Sequence, residues 1–128
     1  MLCARTERGL TVEKPGQTAL SRLVANLGRG DSHVVVERLG EDEPEGDWYM
    51  QVRLRENNTY QLEFRDGIAA EHYQTITVSQ EKVIVALTAW AAGRSGWREA
   101  FMWTNIGSSF TTNEVAAQPG EAADRSSG

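Results

Sequence analysis

Five carboxylates fall within the stretch from Gly40 to Asp47: Glu41, Asp42, Glu43, Glu45 and Asp47. Charge packed this closely can draw the lysines and arginines of a basic partner from a distance and pair with them on contact. Left solvated, the same charges would keep a hairpin edge from pairing with another chain. The spacing lacks the regular oxygen pattern of a calcium loop, so no metal site is expected there. A second set, Tyr49, Arg53, Arg55, Glu63 and Arg65, alternates along two apolar-patterned runs. Arginine and tyrosine dominate binding surfaces because each buries area and donates hydrogen bonds together. Cross-strand ion pairing on a solvated face would use the same residues.

Other chemistry finds little support. His33 and His72 are the only histidines, and both fall at strand starts with no i,i+4 partner. They are expected to be structural or superficial; an enzyme would need one of them beside a carboxylate in a cleft. Ser21, Ser79 and Ser95 lack the context of a nucleophile elbow. The pairs Gly28/Gly30 and Gly93/Gly96 lack the strand-to-helix setting of a phosphate loop. Cys3 is the single cysteine, which excludes an intrachain disulfide and a cysteine metal cage and fits a reducing cytoplasm. No catalytic residue, metal or cofactor is expected. Of four tryptophans, Trp48 and Trp90 fall on core stripes. Trp97 and Trp103 are more open and define an alternative, a small-molecule pocket beside them.

The elements that would position these groups follow from periodicity. Thr18 is placed as the cap of a helix whose stripe is Leu20, Leu23, Val24 and Leu27, closed at Gly28. Val34, Val35, Val36 and Leu39 suit a strand. After the acidic loop, Trp48, Met50, Val52 and Leu54 share one face of a second strand. Asn57-Asn58 marks a turn, and Tyr60, Leu62 and Phe64 continue the same face on a third. A fourth strand spans His72 to Val78, with Ile76 and Val78 expected to point inward. Ser79 caps the strongest helix, with Val83, Ile84, Leu87, Trp90 and Ala91 inside and Gly93 as the stop. A short amphipathic piece carrying Trp97, Phe101 and Trp103 follows Gly96. The expected fold is α+β: a four-stranded antiparallel β-meander with an N-terminal and a C-terminal helix packed on one face. Residues 1–16 are read as a flexible lead-in, 17–110 as a single domain and 111–128 as a disordered tail.

Composition narrows the partners. The chain has 128 residues and a formal net charge of −5, so the acidic loop alone accounts for the whole excess. An acidic balance argues against nucleic acid and anionic membranes as partners. No apolar run approaches a membrane span, and Arg5, Glu7 and Arg8 interrupt any secretory core at the start.

The run Tyr60-Gln61-Leu62-Glu63-Phe64-Arg65-Asp66-Gly67, then His72-Tyr73-Gln74-Thr75, Ala89-Trp90-Ala91 and Gly96-Trp97, resembles a family of small uncharacterised proteins of actinobacterial type. The resemblance covers roughly residues 19–106 and brings no catalytic motif. More loosely, the size, acidity and order of elements are similar to immunity proteins of bacterial toxin systems. The combined expectation is a non-enzymatic, cytoplasmic protein-binding domain, immunity-like in blocking the basic site of a toxin. Its partner-binding residues would be Glu41, Asp42, Glu43, Glu45 and Asp47 first, with Arg53, Arg55 and Glu63 as secondary contacts.

Overall fold

A computed structural model describes residues 1–110; the tail read at 111–128 lies outside the described residues. In chain order the elements are β1 (Leu2–Thr6), β2 (Thr11–Glu13), α1 (Gln17–Ala25), β3 (His33–Arg38), β4 (Asp47–Leu54), β5 (Tyr60–Gly67), β6 (His72–Thr77), α2 (Gln80–Ala91), a 3-10 turn (Trp97–Ala100) and β7 (Thr104–Asn105). All neighbouring strands are antiparallel, in the order β2-β1-β3-β4-β5-β6-β7.

The expected four-stranded meander is therefore corrected to a seven-stranded sheet. The four strands foreseen are its interior, β3 to β6. The residues read as a flexible lead-in supply β1 and β2 instead. Ala4 is buried against the helix side, and Cys3 is buried on the opposite side. These strands are short and put only Leu2, Ala4 and Val12 against the core, so their alternation is faint, yet pairing of β2 with β1 and of β1 with β3 satisfies their backbone groups. The two-residue β7 is too short to leave any periodic signal.

The core lies between the sheet and the two helices. Strand residues Val34, Val36, Met50, Val52, Leu62 and Phe64 meet Leu20 and Val24 of α1 and Val83, Leu87 and Trp90 of α2. Burying each large side chain contributes roughly 1.5–3 kcal/mol, so the sheet needs no metal or disulfide to seat its helices. The Ser79 hydroxyl accepts from the Lys82 amide at 3.1 Å, capping α2 as expected. At α1 the cap is Gly16, with no side-chain bond, and Thr18 sits inside the first turn.

The phase of β6 is the other correction. Tyr73 pairs with Phe64 and Thr75 with Leu62, which turns these odd-numbered residues toward the helices. Ile76 and Val78 are exposed instead, Val78 at 79 %. The same phase sends His72 to the polar face of the sheet.

Candidate functional site

The polar face separates along the strands into two ends with different chemistry. Since β3 runs up to the acidic loop and β4 returns from it, that loop sits where β3 ends and β4 begins. Beside it lies the turn from Gly67 to Glu71 between β5 and β6. At the opposite end, the turn from Gly28 to Asp31 lies beside the β4–β5 hairpin, whose tip is Asn57-Asn58.

The acidic loop is pinned at its root. Gly46 has φ +116°, and a Cβ there would meet the Gly67 carbonyl oxygen at 2.5 Å, so glycine is required for both conformation and approach. Gly67 in turn lies under the Trp48 indole, whose Nε1 donates to the Glu45 carbonyl at 3.1 Å. The N-terminal ammonium donates to Glu43 Oε2 at 2.9 Å and holds that carboxyl below its ordinary range. Asp47 lies 3.7 Å from Arg65 Nη1. Glu41, Asp42 and Glu45 are exposed and have no cationic partner among the described residues. The outcome is a fixed loop that presents carboxylates outward.

Behind Asp47 lies a polar cluster on β4, β5 and β6. His72 is 1 % exposed; its Nε2 is 2.8 Å from Glu63 Oε1. Arg65 Nε donates to His72 Nδ1 at 3.1 Å, and the Tyr49 hydroxyl is 3.4 Å from the same nitrogen. An Nδ1 that accepts from Arg65 assigns the ring proton to Nε2, where it is donated to Glu63. Phe110 covers the cluster, its ring centroid 4.4 Å from that of His72 and 4.7 Å from the Arg65 guanidinium carbon. Burial pushes the Tyr49 hydroxyl above its ordinary pKa. A histidine does stand beside a carboxylate here. Both ring nitrogens are engaged by protein groups, however, and the imidazole offers no exposed edge to a substrate. The arrangement ties three strands together and aims Arg65 at the root of the loop.

This cluster was not foreseen from sequence. Its signal was available as Glu63, Arg65 and His72 in one register, since Arg65 pairs with His72 across β5 and β6; choosing the phase of β6 by its isoleucine and valine concealed it. Because His72 is buried here, the polar face is closed at this end rather than wetted along its whole length.

The structure does not unite the predicted partner-binding residues. Glu41, Asp42, Glu43, Glu45 and Asp47 cluster at one end. Glu63 is occupied by His72 and by the Gln61 side-chain amide. Arg53 and Arg55 stand at or just past the far end of β4. From Asp47 to Leu54 the strand covers roughly 23 Å at 3.3 Å per residue. Trp97 and Trp103 pack edge-on against Phe64, at centroid distances of 5.1 and 4.8 Å. A groove of about 400 Å³ nearby is lined by β6, Lys82, Ala100, Phe101, Met102 and Thr104, but by neither indole.

Among the described residues no helix is long and apolar enough to cross a membrane, and no group of three or more His, Cys, Asp or Glu is arranged to hold a metal ion. No protein-family model matches the chain, and comparison with curated proteins and with solved structures yields no match either.

Proposed function

We propose that this is a non-enzymatic protein-binding domain whose acidic loop receives the basic surface of a partner protein, as an immunity protein would cover the cationic site of a toxin. One observation carries the reading. Glu41, Asp42 and Glu45 are exposed on a loop held at Gly46, Trp48 and Glu43, with no cationic partner among the described residues. Exposed carboxylates on a mobile loop would lose conformational freedom on binding; on a pinned loop that cost is already met in the fold. Their field favours fast encounter with a basic surface, and this steering weakens with salt. The setting this implies is the cytoplasm, where such an inhibitor would guard the cell that makes it.

The test begins with a partner isolated from the native host and identified. Its association is then followed with the native chain and with the combined Glu41→Gln, Asp42→Asn and Glu45→Gln variant, which leaves the pinning contacts in place. The association rate should fall about tenfold or more at low salt, and its salt dependence should flatten. Equal rates and equal salt slopes in the two proteins would show that the loop is not the contact surface.

A further inference from the structure

At the end of the sheet farthest from the acidic loop, a cleft of about 1000 Å³ opens between the Gly28–Asp31 turn and the β4–β5 hairpin. Its lining includes Arg29, Arg53, Arg55, Ser32, Asn57 and Asn58. All three arginines are exposed, and none forms an ion pair among the described residues. For a chain of net charge −5, three guanidiniums around one cavity are a local concentration of positive charge. Elsewhere Arg5 is paired with Glu37, Arg65 with Asp47 and Arg98 with Asp66, while Arg8, Arg22, Arg38 and Arg94 form no ion pair among the described residues and do not line this cleft.

The walls of the cleft are fixed. Gly28 and Asp31 exchange backbone bonds of 3.0 Å in both directions, closing the turn that carries Arg29. The Leu54 amide donates to the Ser32 carbonyl at 2.7 Å, joining that turn to the end of β4. Across the hairpin, Arg55 bonds Thr59 at 2.8 Å and Asn58 bonds Arg55 at 2.9 Å. Asn57 Oδ1 accepts from the Thr59 amide and hydroxyl at 3.2 and 2.6 Å. Asn57 therefore keeps its own side-chain N–H donors, for which the described residues supply no acceptor. Three carboxylates lie close by: Asp31 ends the wall turn, and its Oδ1 accepts from the Arg8 amide at 3.2 Å. Glu56 is on the lining, and Glu7 is near Arg53 but engaged by the Ser32 amide and hydroxyl at 2.6 and 2.8 Å.

We propose that this cleft binds a small molecule carrying a phosphate or diphosphate group on a polar body, such as a nucleoside or a sugar. A guanidinium presents paired donors that match two oxygens of a phosphoryl group at once. Three of them, with neutral amide donors alongside, suit the several oxygens and multiple charge of a diphosphate better than a single carboxylate. The volume lies at the upper end of the ~300–1,000 Å³ usual for ligand sites and leaves space for more than the phosphoryl group. Besides Leu54, Glu56 and two glycines, the remaining lining is Ser32, Asn57, Asn58 and Gln61, all neutral and polar. The acidic loop does not cancel this field. It lies roughly 23 Å away along β4, nearly three screening lengths at physiological salt, where that length is about 8 Å.

The test titrates the full chain with inorganic pyrophosphate and with a nucleoside diphosphate at constant ionic strength, following backbone amide resonances. Saturable shifts confined to residues 28–32 and 53–59 are expected, with the nucleoside diphosphate binding more tightly. The Arg53→Gln, Arg55→Gln pair should weaken binding at least tenfold with the amide spectrum otherwise preserved, and Arg29→Gln alone about fivefold. The variant neutralised at Glu41, Asp42 and Glu45 should bind within twofold of the native chain, which separates this site from the proposed protein contact. Unsaturable shifts spread over the surface, or unchanged affinity in the arginine variants, would overturn the site. Pyrophosphate binding as tightly as the ester would overturn the polar body.

Discussion

The two ends of the sheet solve opposite problems with the same kind of side chain. At the acidic end, charge is layered. The buried His72 is paired with the half-buried Glu63, Arg65 reaches from His72 toward Asp47, and only the outermost carboxylates are left unpaired. At the arginine end there is no such layer: Arg29, Arg53 and Arg55 stand free around a cavity held by backbone bonds. The contrast shows that charge and rigidity need not share residues. In the acidic half, charged groups help to build the fold; in the other half, turns and the Glu7 carboxylate build it, and the arginine charges are spare. Substitutions in the His72 cluster should therefore affect stability, and substitutions of Arg29, Arg53 and Arg55 ligand recognition.

The largest effect is expected at the buried histidine. His72→Ala removes a fully buried ring and leaves Glu63 without its main partner, so urea denaturation followed by tryptophan fluorescence should report a loss of about 2–4 kcal/mol. Arg53→Ala at the other end should remain within about 0.5 kcal/mol. Equal losses at the two positions would dissolve the contrast.

Glycines give a second comparison. Gly46→Ala sets a Cβ 2.5 Å from the Gly67 carbonyl at a φ of +116° and should cost about 1–3 kcal/mol. At Gly28 an added Cβ meets nothing within 4 Å, and Gly28→Ala should change the denaturation midpoint little, within about 0.5 kcal/mol.

Acid sharpens the comparison further. Hydrogen bonds from the Ser32 amide and hydroxyl hold the Glu7 carboxyl below its ordinary pKa. A group lowered in the folded state contributes stability that is present above its unfolded value, about 4.3 for a glutamate, and lost as pH falls through the lower folded value. Thermal melts of native protein and Glu7→Gln should differ at pH 7 and converge on acidification below that folded value. A gap that persists undiminished in acid would mean that the carboxylate charge is not the cause.

The smallest effect on stability is expected from the exposed carboxylates. Glu41→Gln, Asp42→Asn and Glu45→Gln together should leave the midpoint within about 0.5 kcal/mol of the native value, because nothing in the described structure is paired with them. A larger loss would place these groups in the fold rather than at a contact surface.

Much of the interior was legible because its residues repeat at a clear period. Trp48, Met50, Val52 and Leu54 alternate without a break, and Tyr60, Leu62 and Phe64 continue the pattern after a turn at Asn58, where φ is +66°. The outer strands were not legible. In the five-residue β1, Leu2 and Ala4 pack on the core while Cys3 is buried on the other side, so apolar and polar residues do not alternate clearly along it. In β6 the local signal misleads. Ile76 and Val78 are the apolar phase, but pairing with Phe64 and Leu62 imposes the other one. That choice decided whether His72 would be seen as a strand-start residue or as the centre of the buried cluster. The acidic loop was visible by composition alone. The arginine cleft was not, because Arg29 reaches it from a turn more than twenty residues before Arg53, and only the fold brings the two together.

The central claim is that the two ends act independently, one toward cations and one toward anions. Amide resonances of the native chain, titrated in separate experiments with a lysine- and arginine-rich peptide and with pyrophosphate at 0.15 M salt or thereabouts, test it most directly. The account predicts that the peptide moves residues 40–47 and 67–71, that pyrophosphate moves residues 28–32 and 53–59, and that neither ligand alters the affinity of the other. Overlapping shifts, or one ligand displacing the other, would contradict it.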